Sequence, residues 1–389
     1  MNGRRNIINA FKLFAFSMAI VLVFLCDFVN AQSPFLDQSI FEDGTSVKVD
    51  FETDDFQEIK DSVYLFFDRD RMPVFYFQKL FTPVCDDTVC KPVTITLIWN
   101  LLGNYKNYRV DANKLLSKRD HTNFSDEDYE KLHQVLSNEY SVLKSFSKEN
   151  LSSLHQKKKE GAYDEVDAVS GATPKKIKND VVEGALYTCY TLWFYSHGLI
   201  KEQLLNYTDS KLFNEQLLHE MLLSNKMKEF DFALNKLVDF SVDVYQDDLI
   251  QILSVGNSFI TDRISKALPV KLIRDNGFVE DLWNLYGNLH YQSQVLVLEQ
   301  LKKNHQLDSK LLNKMISYSF EANESQYVLF LKIFLNQQLI SENQVKLIVK
   351  SAKARRGKLS GESIRSLDVN AGDEKMISIQ NKILQLLKI

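Results

Sequence analysis

The sequence predicts an α+β fold, a small antiparallel twisted sheet with helices, followed by an all-α region of stacked helical hairpins. Short runs rich in Val, Ile, Thr, Tyr and Phe fill residues 62–110, where they read as strands. Helical spacing takes over after Asp111. From Leu199 onward the strand-like runs vanish, and apolar couples recur about every 32 residues.

A chain of 389 residues with 45% hydrophobic and 25% charged residues has material for two cored domains. Its net charge of -4 makes a mildly acidic surface, which does not attract phosphate backbones, so no nucleic-acid partner is expected.

Residues 1–31 read as a signal peptide. Arg4, Arg5 and Lys12 precede an apolar run from Leu13 to Cys26, and Val29-Asn30-Ala31 has the small residues that signal peptidase prefers. The expected location is therefore exported, periplasmic or secreted. The apolar run is short for a membrane span, which leaves an uncleaved anchor as the alternative. Cleavage would remove Arg4, Arg5, Lys12 and Asp27 and take the net charge from -4 to about -6.

Residues 32–198 are expected to form the α+β domain. Gln32 to about Glu58 lacks firm periodicity and reads as a partly extended lead-in. Strands are predicted at Ser62–Phe67, Val74–Phe81, Val93–Trp99 and Tyr105–Val110, antiparallel because the first links are too short for helical crossovers. Cys85 and Cys90 flank a turn that a disulfide would close. A structural staple and a redox-active pair are the two readings, and no second pair or nearby His completes a metal ligand set. Ser125 is the predicted N-cap of a helix through Tyr129, Leu132, His133 and Leu136, with Asp128 completing a capping box. His121 and His133 read as surface or packing residues. A short helix from Ser147 to about His155 is predicted next, and then the solvated loop Lys157–Gly161.

The stretch Asp167-Ala-Val-Ser170-Gly171-Ala172-Thr173 carries the strongest chemical signal. Its small residues permit close backbone approach to a ligand. Thr173 followed by Pro174 reads as an N-cap and first helical residue, and the helix is expected to run to His197-Gly198. The dipole's positive end, with Lys175, Lys176 and Lys178 nearby, suits a phosphate. One face would carry Ile177, Val181, Ala185, Thr188, Leu192 and Tyr195, widened by Trp193 and Phe194, and would pack on the sheet or on a ligand ring. Cys189 reads as a buried small hydrophobe.

These residues resemble the motif Asp-x-x-Ser/Thr-Gly-Ala-Thr of the FMN-binding domains of exported electron-transfer proteins. That family includes the C subunit of the sodium-translocating NADH:quinone reductase, the G subunit of the Rnf complex and the periplasmic part of the nitrous-oxide reductase regulator. The resemblance implies FMN held at Asp167, Ser170, Gly171, Ala172 and Thr173, joined to the Thr173 oxygen as a phosphoester by a flavin transferase. It spans about Asp164 to Gly198. Many members carry Ser or Thr two residues after the acceptor, where this chain has Lys175. The family's membrane-bound complexes add membrane-complex association to the implied partners.

Residues 199–352 are expected to form a HEAT-like domain of helical hairpins. The couples Ala233/Leu237, Ile264/Leu268, Val297/Leu301 and Phe330/Phe334 align the second helix of each pair, and Leu217, Leu249, Leu282 and Met315 the first. Such a stack offers a docking face for a protein redox partner. Residues 353–389 read as a basic linker, Lys353–Lys358 and onward to Gly372, and a terminal amphipathic helix at about Glu374–Leu387.

Two functions of different class follow. One is an exported flavin-bearing electron carrier, with Cys85 and Cys90 as the candidate redox pair of a reductase variant. The other is an exported helical interaction scaffold without flavin. The chain has no nucleotide-binding Gly-rich fingerprint and no HExxH, so a carrier is favoured over a self-contained oxidoreductase.

Overall fold

Side chains alternate across a pleated strand, and the first sheet is built on that rule. The computed structural model of the chain describes residues 35, 37–51, 62–83, 92–147, 181–355, 358–367 and 374–387. It comprises two units, Met1–Leu212 and Phe213–Ile389.

Among the described residues the first unit holds five strands, β1 (Thr45–Lys48), β2 (Val63–Phe67), β3 (Pro73–Thr82), β4 (Val93–Trp99) and β5 (Tyr105–Arg109), in the order β1-β2-β3-β4-β5 with every neighbouring pair antiparallel. The predicted strands are present, and β1 is an addition inside the expected lead-in. Its four residues are all exposed, so no burial pattern marks it in the sequence.

The register lines up Leu65, Tyr76 and Trp99 in one row and Gln78, Leu97 and Tyr108 in the next, all buried on one face. That face takes the helices α1 (Asp126–Ser137), α2 (Leu186–His197) and α3 (Ile200–Tyr207). On the opposite face Phe66, Phe75 and Ile98 form a cluster with Ile40, Phe41 and Phe77. Helix α1 opens on the predicted capping box: the Asp128 amide donates to Ser125 Oγ at 3.3 Å, and the Ser125 amide donates to Asp128 Oδ2 at 2.9 Å.

Two expectations need correction here. Val181–Ala185 is a turn and α2 begins only at Leu186, because Gly184 takes a left-handed φ of 78° that a helix does not accommodate. Of the expected face, Val181, Ala185, Thr188, Leu192 and Trp193 are buried, joined by Cys189 and Ser196, while Phe194 is exposed and Tyr195 half-buried. The first compact unit runs on through α3 and the π-helical turn Thr208–Leu212. Thr208 is wholly buried there, with its hydroxyl donating to the Leu101 carbonyl at 2.5 Å.

The second unit is all helical among the described residues. First helices α4 (Glu215–Leu222), α6 (Val242–Val255), α9 (Asn276–Tyr286), α11 (Ser309–Ser319) and α13 (Glu342–Ala354) form one layer. Second helices α5 (Met227–Lys236), α7 (Ser258–Ala267), α10 (Tyr291–Leu301) and α12 (Glu324–Leu335) form the other. The short α8 (Val270–Ile273) joins two hairpins, and α14 (Gly361–Arg365) and α15 (Glu374–Leu387) close the end. Each second helix touches the next, α5 to α7 to α10 to α12 to α15. The residues that align the repeats face inward, with Leu249, Met315 and Phe330 fully buried.

Polar side chains repeat the same register. Asn304 Nδ2 donates to the Ile273 carbonyl at 2.7 Å, Gln337 Nε2 to the Asn304 carbonyl at 2.9 Å, and Asn336 Nδ2 to the Lys302 carbonyl at 2.9 Å. Each links one inter-hairpin loop to the preceding one, 31 to 34 residues back. The linker expected from Lys353 is also corrected. Lys353 and Ala354 end α13, and the Arg355 guanidinium donates to the carbonyls of Ser319, Phe320 and Ala322 that α11 leaves unpaired. The terminal helix at Glu374–Leu387 is present and packs on α12 and α13.

Candidate functional site

Asp167, Ser170, Gly171, Ala172 and Thr173 lie outside the described residues, as do Cys85, Cys90, the signal segment and the helix expected at Ser147 to His155. The described residues on either side of 148–180, Phe146 and Val182, are both bonded to one turn of α2.

On the entering side, Tyr190 Oη donates to the Phe146 carbonyl at 3.2 Å. On the returning side, the Val182 amide donates to Cys189 Sγ at 3.4 Å, and Val181, Val182 and Ala185 are buried. Gly184 gives its carbonyl to the Arg119 amide at 2.9 Å, which ties the returning strand to the turn before α1. Tyr190 and Cys189 are neighbours in sequence, so adjacent side chains of one helix take the chain before and after the motif-bearing stretch.

Helix α2 is itself fixed by ring donors at helical spacing. His197 Nε2 donates to the Leu136 carbonyl at 2.7 Å and Trp193 Nε1 to the Asn138 carbonyl at 2.9 Å. Two of them thus sit on carbonyls that the C-terminus of α1 leaves without intrahelical partners, and Tyr190 takes the carbonyl of Phe146 after the following 3-10 turn. This was not foreseen from the sequence. The signal was there in the spacing of Tyr190, Trp193 and His197, but it is indistinguishable from an apolar stripe until the acceptors are known. Trp193 is buried in this arrangement, on the core side of the two readings given for the aromatic end.

Titratable groups gather where β5 meets α1. Tyr105 Oη lies 3.0 Å from His133 Nδ1, and the His133 ring packs against Phe35. Burial lowers the His133 pKa below its ordinary value and raises that of Tyr105, with the Arg109 charge working against the Tyr105 shift. A neutral imidazole hydrogen-bonded to a neutral phenol therefore stands beside a cation. Arg109 donates to the Tyr108 carbonyl at 2.8 Å; burial lowers its pKa from the usual arginine value, and the Asp37 carboxylate works against that shift. His121 sits at a left-handed φ of 69° in the turn Lys118–Thr122.

Cys189 is fully buried and free, and burial pushes its thiol up to about 12. It is not a thiolate at neutral pH and so not a nucleophile. Among the described residues no group of three or more His, Cys, Asp or Glu could hold a metal ion, and no helix is long and apolar enough to cross a membrane.

Comparison with protein-family models, with curated proteins and with solved structures found no match.

Proposed function

We propose that the chain is an exported flavoprotein, carrying FMN phosphoester-linked at Thr173 and passing electrons to or from a docked protein. The observation that carries this reading is the match of Asp167, Ser170, Gly171, Ala172 and Thr173 to the motif of the covalent-FMN domains. The reading is compatible with the described residues on either side of the stretch, Phe146 and Val182, which both bond to a helix packed over the sheet. Bound FMN supplies one- and two-electron chemistry, while the protein supplies placement. Thr173 would hold the phosphate, and Ser170 to Ala172 would let the backbone approach it. A flavin transferase is the implied modifying partner, and the helical unit is the implied docking element for a redox protein.

Intact-mass measurement of the exported chain, co-expressed with a flavin transferase, tests this against Thr173→Ala. The expected result is an added mass of FMN less water and yellow absorbance on the wild type only. A wild type with neither mass nor colour, and no affinity for free FMN, overturns it. The second reading, an interaction scaffold without flavin, would then stand on the two-layer helical stack. A reductase with Cys85 and Cys90 as its dithiol is a separate arm, and full electron transfer in the double Cys→Ser variant would end it.

A further inference from the structure

The two layers of the helical unit handle charge differently. In the layer of second helices both signs are mixed and paired: Arg263 bonds Asp231 on the preceding hairpin, Lys266 lies 2.5 Å from Asp262, and Lys302 bonds Glu299. In the layer of first helices the signs are segregated. Helices α4, α6 and α9 contain seven carboxylates and no Lys or Arg. Helix α11 contains Lys310 and Lys314 and no carboxylate, and α13 contains three lysines with Glu342 alone in its first turn.

The repeat register makes this an ordered pattern. Ile348, 33 residues after Met315 and buried, extends the inward-facing series Leu217, Leu249, Leu282 and Met315 to α13, and the position two residues before each is Glu215, Asp247, Glu280, Asn313 and Lys346, all five exposed. One column thus runs from acid through neutral to base. Glu280 pairs with Lys314 at 2.9 Å where the sign changes, no described ion pair engages Asp247, Asp281 or Lys346, and Lys310 lies within electrostatic reach of the N-cap carboxylate of Asp308. Tyr318 and Leu347, 37% and 39% exposed, add apolar surface at the basic end.

We infer that this face is a self-complementary interface that takes a second copy of the chain, antiparallel about a twofold axis between α9 and α11. A face that changes sign along its length is complementary to itself reversed, which is the geometry of an isologous contact. The axis brings α9 against α11 of the second copy and α6 against its α13. Asp281 then meets Lys310 of the second copy, and Asp247 its Lys346. Exposed ion pairs are screened by salt, the Debye length falling from about 10 Å at 0.1 M to about 3 Å at 1 M, so the association is salt-sensitive.

Sedimentation velocity of the full chain over a concentration series, at low and high salt, tests the inference. The expected result is a dimer whose dissociation constant rises roughly tenfold or more with salt. Lys310→Glu with Lys346→Glu is expected to be monomeric, and so is Asp247→Lys with Asp281→Lys. Mixing these two variants in equal amounts should restore the dimer, because each presents the complement of the other. The milder Lys310→Gln with Lys346→Gln should dimerise more weakly than wild type and guards against misfolding of the reversed variants. A wild-type chain that stays monomeric at high micromolar concentration overturns the inference, including the case where the face is covered by another protein or another part of this chain. A dimer indifferent to the reversals, or a mixture that fails to re-form it, overturns it equally.

Discussion

Tyr76 and Thr208, 132 residues apart in the chain, meet through their hydroxyls at 2.7 Å in the buried interior of the sheet unit. Thr208 has a single hydroxyl proton and gives it to the Leu101 carbonyl, so Tyr76 is the donor to Thr208 Oγ1. Burial raises the Tyr76 pKa well above that of a free phenol, which keeps it a donor over the working pH range. Thr208→Val keeps the shape but strands the Tyr76 hydroxyl and the Leu101 carbonyl without partners. A loss of about 2–6 kcal/mol is expected by denaturant unfolding, at about 1–3 kcal/mol per stranded group. Thr208→Ser should recover most of it, and a Val variant as stable as wild type would remove Thr208 from the account of the unit boundary.

Gly103 and Gly184 both take left-handed φ values, 70° and 78°, but for different reasons. A Cβ at Gly103 would overlap the Lys201 carbonyl oxygen on α3, whereas one at Gly184 would meet Lys118 Cβ at an ordinary 3.4 Å. Gly184→Ala should therefore cost only the conformational strain, about 1–2 kcal/mol. Gly103→Ala should cost clearly more, since the β4–β5 turn must also lift from α3. Paired thermal unfolding measures the difference, and equal shifts would show that the turn moves freely.

How far the sequence reached can be judged from these same residues. Strands β2 to β5 were legible because Val, Tyr, Phe and Ile recur at pleated spacing, and Ser125 with Asp128 announced α1. The edge strand β1 was not, since all four of its residues are exposed and only pairing with β2 defines it. Thr173-Pro174, the start signal read from the sequence, lies outside the described residues, and α2 begins at Leu186, just after the left-handed Gly184. The boundary at Leu212 rests on Thr208 reaching Tyr76 and Leu101, contacts that no local window contains. The hairpin period was legible from apolar couples, while the Asn and Gln ladder was not, because an amide finds its acceptor only after the loops are placed. For the candidate site the position is reversed. The motif at Asp167–Thr173 is a sequence signal, and the anchors at Tyr190 and Cys189 are a structural one.

Gln337 shows what the ladder contributes. Its amide donates to the Asn304 and Ile333 carbonyls at 2.9 and 3.0 Å, and its Oε1 accepts from the Leu307 amide at 2.9 Å, all buried. Gln337→Met matches the volume and removes all three bonds. A loss of about 3 kcal/mol or more is expected. Asn304→Ala in the same background should cost less than it does alone, because the two residues share one loop junction, and a double-mutant cycle reads the coupling. Strict additivity would mean that the hairpins are held by apolar packing alone.

The Glu324 carboxylate fastens the segment before α14 to α12, accepting from the Ser360 amide at 2.8 Å and the Ser363 hydroxyl at 2.5 Å. Those donors pull its pKa down from 4.5 to about 2. A carboxylate depressed on folding stabilises above its unfolded value and loses that contribution as pH falls through the folded one. The stability gap between wild type and Glu324→Gln should be constant above about pH 5 and close progressively towards pH 2. Denaturant unfolding at stepped pH measures it, and a gap that does not change with pH would show that the carboxylate charge has no part in the contact.

Cys189 makes the opposite case, an acid whose pKa is raised by burial. At neutral pH the folded thiol is protonated and enclosed by Val182 and the sheet-facing side of α2, so a disulfide reagent should label it only as fast as the chain opens. Raising the pH does not change this quickly. The unfolded thiol ionises near its ordinary value of 9.0 and the folded one near 12, so folding stability falls across that window as pH rises. Cys189→Ala abolishes that dependence, and it also leaves the Val182 amide without its acceptor, which loosens the returning end of the motif-bearing stretch. The variant should therefore be less stable at pH 7 yet lose less on going to pH 10 than wild type. Fast labelling of native wild type at pH 7 would show that the thiol is not enclosed, and with it that the returning anchor of residues 148–180 is open in solution.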